Sequence, residues 1–229
     1  MASIKKIVLL VLSFLILEIL LFVLVDLPLS GYMRELDSDH PSFINIFRSY
    51  TNYAKSIWYL IPLGIAALTC AVGTRLSNFQ PELRNRLSTY GKNAVYCFSA
   101  IAAAGITTDI IKPILGRARP IALLREKAYG FHHFYVSPIW NSMPSGHATT
   151  AFAVATLLCV SFPRMRVVWI VWAVVMAASR IMVNAHYLSD VIAGATVGCL
   201  IPLMLKHVFE NRRLQNILSG IFPLDRRTS

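Results

Sequence analysis

Six apolar runs, at 7–25, 57–72, 94–111, 148–162, 167–183 and 187–205, narrow what this chain can fold into more than any other feature. A helix needs about 17–25 largely apolar residues to cross a bilayer core, and in lipid its backbone polar groups must be satisfied within the segment. The pattern predicts an all-α integral membrane bundle of six transmembrane helices, the short fourth run drawing on its polar flanks. Composition agrees: 56% of the 229 residues are apolar and 14% are charged, too few charges to coat a soluble domain. Lys5 and Lys6 precede the first run as they would in a signal peptide. That run, however, exceeds the ~7–15 residues of a signal core and no small-residue cleavage site follows, so a retained helix is expected. Without linker composition or an internal repeat, a single membrane-embedded domain over 1–229 is expected.

The chain carries 22 Lys+Arg against 11 Asp+Glu, a formal net charge of +11. On a soluble chain this excess would suggest a nucleic-acid partner; on one this apolar it reports topology, and the expected partner is the bilayer, with no nucleic acid. Lys5, Lys6, Arg75, Arg84, Arg86, Lys92, Arg164, Arg166, Lys206, Arg212, Arg213, Arg226 and Arg227 fall on one side of the six runs. By the positive-inside rule that side is cytoplasmic, and so are both termini. Between the first two runs Arg34, Arg48 and Lys55 face Asp26, Glu35, Asp37 and Asp39, as suits a translocated loop. Lys112, Arg117, Arg119, Arg125, Lys127 and Arg180 break the rule on the outer side, which asks for an anionic ligand there. Cys70, Cys97, Cys159 and Cys199 are widely spaced inside apolar runs and read as packing residues, with neither zinc nor disulfide spacing.

Three clusters stand at the outer ends of runs three to six. In Lys112-Pro113-Ile114-Leu115-Gly116-Arg117-Ala118-Arg119-Pro120, Lys112 offers a point charge and Arg119 a planar fork of donors, the combination that holds several oxygens of one phosphoryl group. A basic loop touching lipid headgroups would look the same. In Pro144-Ser145-Gly146-His147, Ser145 is an N-cap and Gly146 lets an anion approach the free N–H groups of the next helix. Ordinary turn chemistry reads identically. In the third, running from Ser179-Arg180 to His186 and Asp190, the i, i+4 spacing predicts both side chains on one helix face, the carboxylate orienting the imidazole. An Arg and an Asp at membrane depth favour function over a structural pair.

Taken together, the clusters resemble the type 2 phosphatidic acid phosphatase family, whose signature K-x6-R-P, P-S-G-H and S-R-x5-H-x3-D is matched at every fixed position over 112–120, 144–147 and 179–190. The resemblance implies a lipid phosphate phosphatase that works without a metal or other cofactor. It implies that His186 is the nucleophile that becomes a phosphohistidine, Asp190 its orienting carboxylate and His147 the general acid and then base. Lys112, Arg119, Ser145, Gly146 and Arg180 would bind the substrate phosphate. Arg117 sits at an open position of the signature; a headgroup contact suits it as well as a catalytic role, and it stays outside the predicted site. Asp109 either pairs with Lys112 or marks the interface.

The implied substrate is a membrane lipid phosphate or diphosphate at the periplasmic face of a bacterial inner membrane. Undecaprenyl diphosphate and glycerophospholipid phosphates lead, with lipid A phosphatase or phosphotransferase as the alternative, since the surroundings of the first two motifs look similar to lipid A phosphatases as well. The aromatic segment 121–143, with Tyr129, Phe131, His132, His133, Phe134, Tyr135 and Trp140, is either an interfacial belt or a lid. His132 and His133 lack further residues at metal-ligand spacing. A six-helix transporter lined by Glu18, Arg180 and Asp190 and a non-catalytic phospholipid-binding protein are the rivals from other classes. The charges cluster at one face instead of tracing a path, and mere binding needs no oriented histidine.

Overall fold

The computed structural model describes residues 2–76 and 80–223; Arg226 and Arg227, assigned above to the cytoplasmic side, lie outside them. Helix α1 (Ala2–Leu20) passes through a π-helical turn (Leu21–Val25) into α2 (Asp26–Asp39). There follow α3 (Pro41–Tyr50), a 3-10 turn (Thr51–Ala54), α4 (Ile57–Gly73), α5 (Pro81–Leu115), the short α6 (Pro120–Arg125), α7 (Gly146–Ser161), α8 (Arg166–Met182), α9 (Leu188–Phe209) and α10 (Arg212–Ile221). Among the described residues there is no β-strand, only an isolated bridge between Arg117 and Phe131.

The protein is an integral membrane helical bundle. Among the described residues five stretches, Ile4–Asp39, Pro41–Gly73, Pro81–Leu115, Pro163–Met182 and Leu188–Phe209, are long and apolar enough to cross a bilayer. Leu9, Leu68 and Val167 are each about two-thirds or more exposed, as lipid-facing side chains are. The short fourth run is α7, at 16 residues the central helix of the bundle. Ala148, Thr149, Ala151, Ala153, Ala155 and Leu157 are all buried, which relieves α7 of meeting lipid directly. The third run is only the apolar part of α5. Its 35 residues span about 52 Å, so the polar N-terminal portion extends past a bilayer core of about 30 Å.

Small residues set the central contact. Gly194 and Gly198, one turn apart on α9, lie against the Ser145 carbonyl with Ala148 and against the Thr149 carbonyl with Phe152. A Cβ at either position would meet backbone, so glycine allows the close approach that small-xxx-small pairs give in membranes. This contact brings the first turns of α7 and α9 together, and the Ser145 N–H donates to the Asp190 carbonyl at 2.9 Å. The buried hydroxyls of Thr108 and Thr149, 3.0 Å apart, join α5 to α7.

Chain direction then sorts the charges. α5 and α8 end, and α7 and α9 begin, at the same end of the bundle, so the three motifs converge there. Arg84, Arg164, Lys206 and the other described cations of the cytoplasmic set lie at the opposite end. The basic tail does more than lie beside lipid. Leu218 and Phe222 pack on Cys70 and Ala71, the Ser88 hydroxyl donates to the Phe222 carbonyl at 2.8 Å, and Lys92 donates to the Ser219 hydroxyl at 3.0 Å.

Candidate active site

Each motif is held by the element it terminates. Gly116 closes α5 with φ +59, a left-handed cap that suits glycine; a Cβ there would also run into the His132 carbonyl. The chain then folds back on the aromatic segment. Ala118 N–H donates to the Gly130 carbonyl (3.0 Å), Arg119 N–H to that of Ile139 (2.8 Å), and Ser142 N–H to that of Arg117 (3.0 Å). Lys112, in the last turn of α5, lies 3.1 Å from Asp109, which settles the two readings of Asp109 in favour of the pair. Ser145 is the N-cap of α7, with Gly146 and His147 in its first turn.

His186 departs from the expected geometry. It sits not on a helix face but in the turn between α8 and α9, just before the N-cap Tyr187. Asp190 is in the first turn of α9, where an anion is favoured, and its Oδ2 reaches back to accept from the Tyr187 N–H at 2.9 Å. That reach, rather than side-by-side helical spacing, places Asp190 Oδ2 3.6 Å from His186 Nδ1. Ser142 fills the gap. Its hydroxyl donates to Asp190 Oδ2 at 2.5 Å and lies 3.3 Å from His186 Nδ1. Having given its own hydrogen to the carboxylate, the Ser142 oxygen can only accept from the ring, so Nδ1 carries the proton and the Nε2 lone pair is free. Burial pushes the His186 ring down to about 4, a direction opposed by Asp190 and reinforced by Arg119 and Arg180. The ring is neutral near pH 7.

Among the phosphate-binding candidates, Arg119, Arg180 and Ser145 each keep a buried side-chain donor without a partner, whereas Lys112 is paired with Asp109. Arg119 donates from one Nη to the Asn141 carbonyl at 3.3 Å, and Arg180 to the Thr51 hydroxyl at 2.6 Å. Neither meets a carboxylate. Among the described residues, Arg119 Nε, Arg180 Nε and Ser145 Oγ are buried with no hydrogen-bond partner; Arg117 Nε is too, but its guanidinium is neutralised by carboxylates and those of Arg119 and Arg180 are not. Burial holds Arg119 below the usual arginine range, with Asp190 only partly opposing. Their charges act on His186, and those of Arg180, Lys55 and Lys112 act on His147. Among the described residues Arg119, Arg180 and Lys55 form no ion pair and Lys112 has only the exposed Asp109, so the surroundings of the two imidazoles carry an excess of positive charge that favours an anion. A cavity of about 180 Å³ opens there, lined by Lys55, Asp109, Gly146, His147 and Thr150 among others. Among the described residues no group of three His, Cys, Asp or Glu side chains is arranged to hold a metal ion.

Arg117 corrects the sequence reading. It is 1% exposed and no headgroup contact: it bridges Asp26 at 2.5 Å and Asp190 at 2.8 Å. Asp26, counted above among the loop acids, is buried with it, because the helix runs on past the first apolar run through the π turn. Ser142, Thr51 and Lys55 were also missed, since a lone Ser, Thr or Lys in a loop carries no spacing signal. For Arg117 and Asp26 one signal existed: Glu18 lies inside the first apolar run and Asp26 eight residues on at its end, two acids at membrane depth that ask for a cation. In the aromatic segment, His132 packs beside Tyr135 and Trp140, while Phe134 and Val136 are about 80% exposed at the site end of the bundle.

A family model described as the PAP2 superfamily matches residues 93–214. The lipid A 1-phosphatase of Rhizobium johnstonii is 37% identical over 114 residues, 50% of this chain and 47% of that protein. That of Rhizobium etli is 36% identical over 114 residues, 50% and 49% of the two chains. The chain thus spans about half the length of these relatives. A bacitracin transport permease protein of Bacillus licheniformis is 27% identical over 172 residues, 75% of this chain and 79% of that one. The crystal structure of a PAP2-type phosphatidylglycerolphosphate phosphatase from Bacillus subtilis superimposes with a TM-score of 0.53 at 18% identity, covering 88% of this chain and 97% of that one, a likeness of fold.

Proposed function

We propose, from the premise that the chain belongs to the PAP2 superfamily, that it is a membrane lipid phosphatase hydrolysing a lipid phosphate or diphosphate through a phosphohistidine, its one catalytic domain formed by the whole chain. The observation that carries this reading is the set of buried, unpartnered donors on Arg119, Arg180 and Ser145 around a neutral, oriented His186. With Lys112 and the Gly146 N–H they bind the phosphoryl oxygens. His186 Nε2 attacks phosphorus, the bond from phosphorus to the leaving oxygen breaks, and His147 gives that oxygen its proton. His147 then takes a proton from water, which attacks phosphorus and releases inorganic phosphate and His186. Phosphoryl transfer asks mainly for alignment and charge stabilisation, and the fixed cations provide the charge that a metal ion supplies elsewhere.

The separation of the cations to the far end of the bundle supports cytoplasmic termini and a site at the periplasmic face of the inner membrane. Undecaprenyl diphosphate and glycerophospholipid phosphates are substrates that such a site takes. The similarity over 114 residues to proteins named lipid A 1-phosphatase favours a second reading in which the phosphate is that of lipid A. The purified protein, assayed in detergent with excess chelator against all of these and phosphatidic acid, should release inorganic phosphate from at least one, with kcat/KM ranking the headgroups. Release that survives His186→Ala, or that stops with chelator alone, contradicts the mechanism.

A further inference from the structure

The phosphatase reading gives no task to Arg117, Asp26 or Ser189, all buried behind Asp190. Arg117 Nη2 donates to Asp26 Oδ2 at 2.5 Å; Nη1 donates to Asp190 Oδ1 at 2.8 Å and is also bonded to the Ser189 hydroxyl. Ser189 in turn donates to Asp26 from its hydroxyl (2.5 Å) and its N–H (3.2 Å). Aromatic rings wall the guanidinium at 5.1 Å (Phe22), 5.6 Å (Phe131) and 4.8 Å (Tyr187). The Tyr129 hydroxyl donates to the Phe22 carbonyl at 2.6 Å inside the π turn, fixing the point where the first helix bears on this group.

Accepting His186 as the nucleophile, we propose that Arg117, anchored by Asp26, is a positioning residue that sets both the orientation and the effective charge of the Asp190 carboxylate. With Oδ1 committed to Arg117, Asp190 can present only Oδ2 to Ser142 and His186. One guanidinium shared by two carboxylates leaves a net charge of −1. That matches the positive charge that develops on His186 as phosphorus bonds to Nε2. Without Asp26 the group would be neutral and would stabilise that charge less. Without Arg117 it would carry two unpaired carboxylates. The first spanning segment, through Asp26 at the start of α2, thereby supports the catalytic residues, though it supplies no motif residue.

The charged and titratable neighbours are Glu18, Tyr129 and Tyr187 around the network, and Arg119, Arg180 and His147 around His186. Because none of them changes between the variants, the two charge removals should act on His186 in opposite directions. The test is the ring titration of His186 by 15N NMR of the full-length protein in detergent, with kcat and KM measured in parallel. Asp26→Asn, isosteric, should lower the imidazolium fraction at about pH 4.5 and reduce kcat about tenfold with KM within about twofold. Arg117→Met should raise the titration midpoint, and Arg117→Lys should bring it back toward the wild-type value. Midpoints that do not move, or that move the same way in Asp26→Asn and Arg117→Met, overturn the proposal and leave Arg117 a structural residue. If Arg117→Met does not fold, Asp26→Asn decides alone. A wild-type protein that hydrolyses no lipid phosphate would defeat the phosphatase reading, while the ring titration would still decide this one.

Discussion

Arg117 and Arg119 stand two residues apart in one motif and have opposite surroundings. Arg117 meets two carboxylates and is held above the usual arginine range: burial works against its charge, but Asp190 and Asp26 outweigh it. Arg119 meets a single carbonyl, and burial holds it below that range. A buried cation with its counter-ions in place is finished structurally; one without them has a charge left for a ligand. The difference separates two regions of one end of the bundle: a closed network that shapes Asp190, and an open cluster of Arg119 and Arg180 around His186 and His147, with Lys112 at its rim paired to the exposed Asp109.

The largest expected effect tests the closed region. Arg117→Ala strands Asp26 and Asp190 without a cation and should cost about 3–5 kcal/mol of stability, read as a lower Tm in detergent. An unchanged Tm would break the distinction. Arg119→Ala and Arg180→Ala should do the reverse, lowering kcat/KM by about 10²–10³-fold with no loss of Tm, since each removes an uncompensated charge. A third variant probes the frame that holds both regions together. Gly194→Val forces a side chain between α9 and the Ser145 carbonyl and should destabilise by about 1–3 kcal/mol, with kcat falling as the first turns of α7 and α9 separate.

The smallest effect is one of pH. His186 is pushed by burial from an ordinary 6.5 down to about 4, so the folded protein prefers the neutral ring. Its contribution to stability is complete above pH 6.5. It declines as pH falls from there toward 4, while the unfolded chain takes up the proton first, and levels off below. The acid limb that this ring imposes on kcat/KM should accordingly lie near pH 4. A limb at 6.5 from His186 would mean that the ring is neither buried nor oriented as described.

Most of the open region was legible in the sequence because its residues belong to fixed spacings beside apolar runs, Lys112 and Arg119, Ser145 to His147, Arg180 and His186; Thr51 and Lys55 carry no such spacing. The closed region was not. Hydropathy ends the first run at Val25, so Asp26 looked like the first acid of a loop, although the π turn carries the helix through to Asp39. Arg117 has no neighbour in sequence to show that its partners lie on α2 and α9. The all-α bundle followed from the six runs. The central place of α7 did not, because an apolar run of 15 residues looks the same whether its neighbours are lipid or helices.

The central claim is that the open cluster holds a phosphoryl group for transfer to His186, and it is tested most directly by trapping the intermediate. Rapid alkaline quenching of the wild-type protein during turnover of a phosphate-labelled lipid, followed by peptide mass spectrometry, should place acid-labile phosphate on His186. Label on another residue, or turnover with none on His186 under conditions that trap phosphohistidine, would contradict the account.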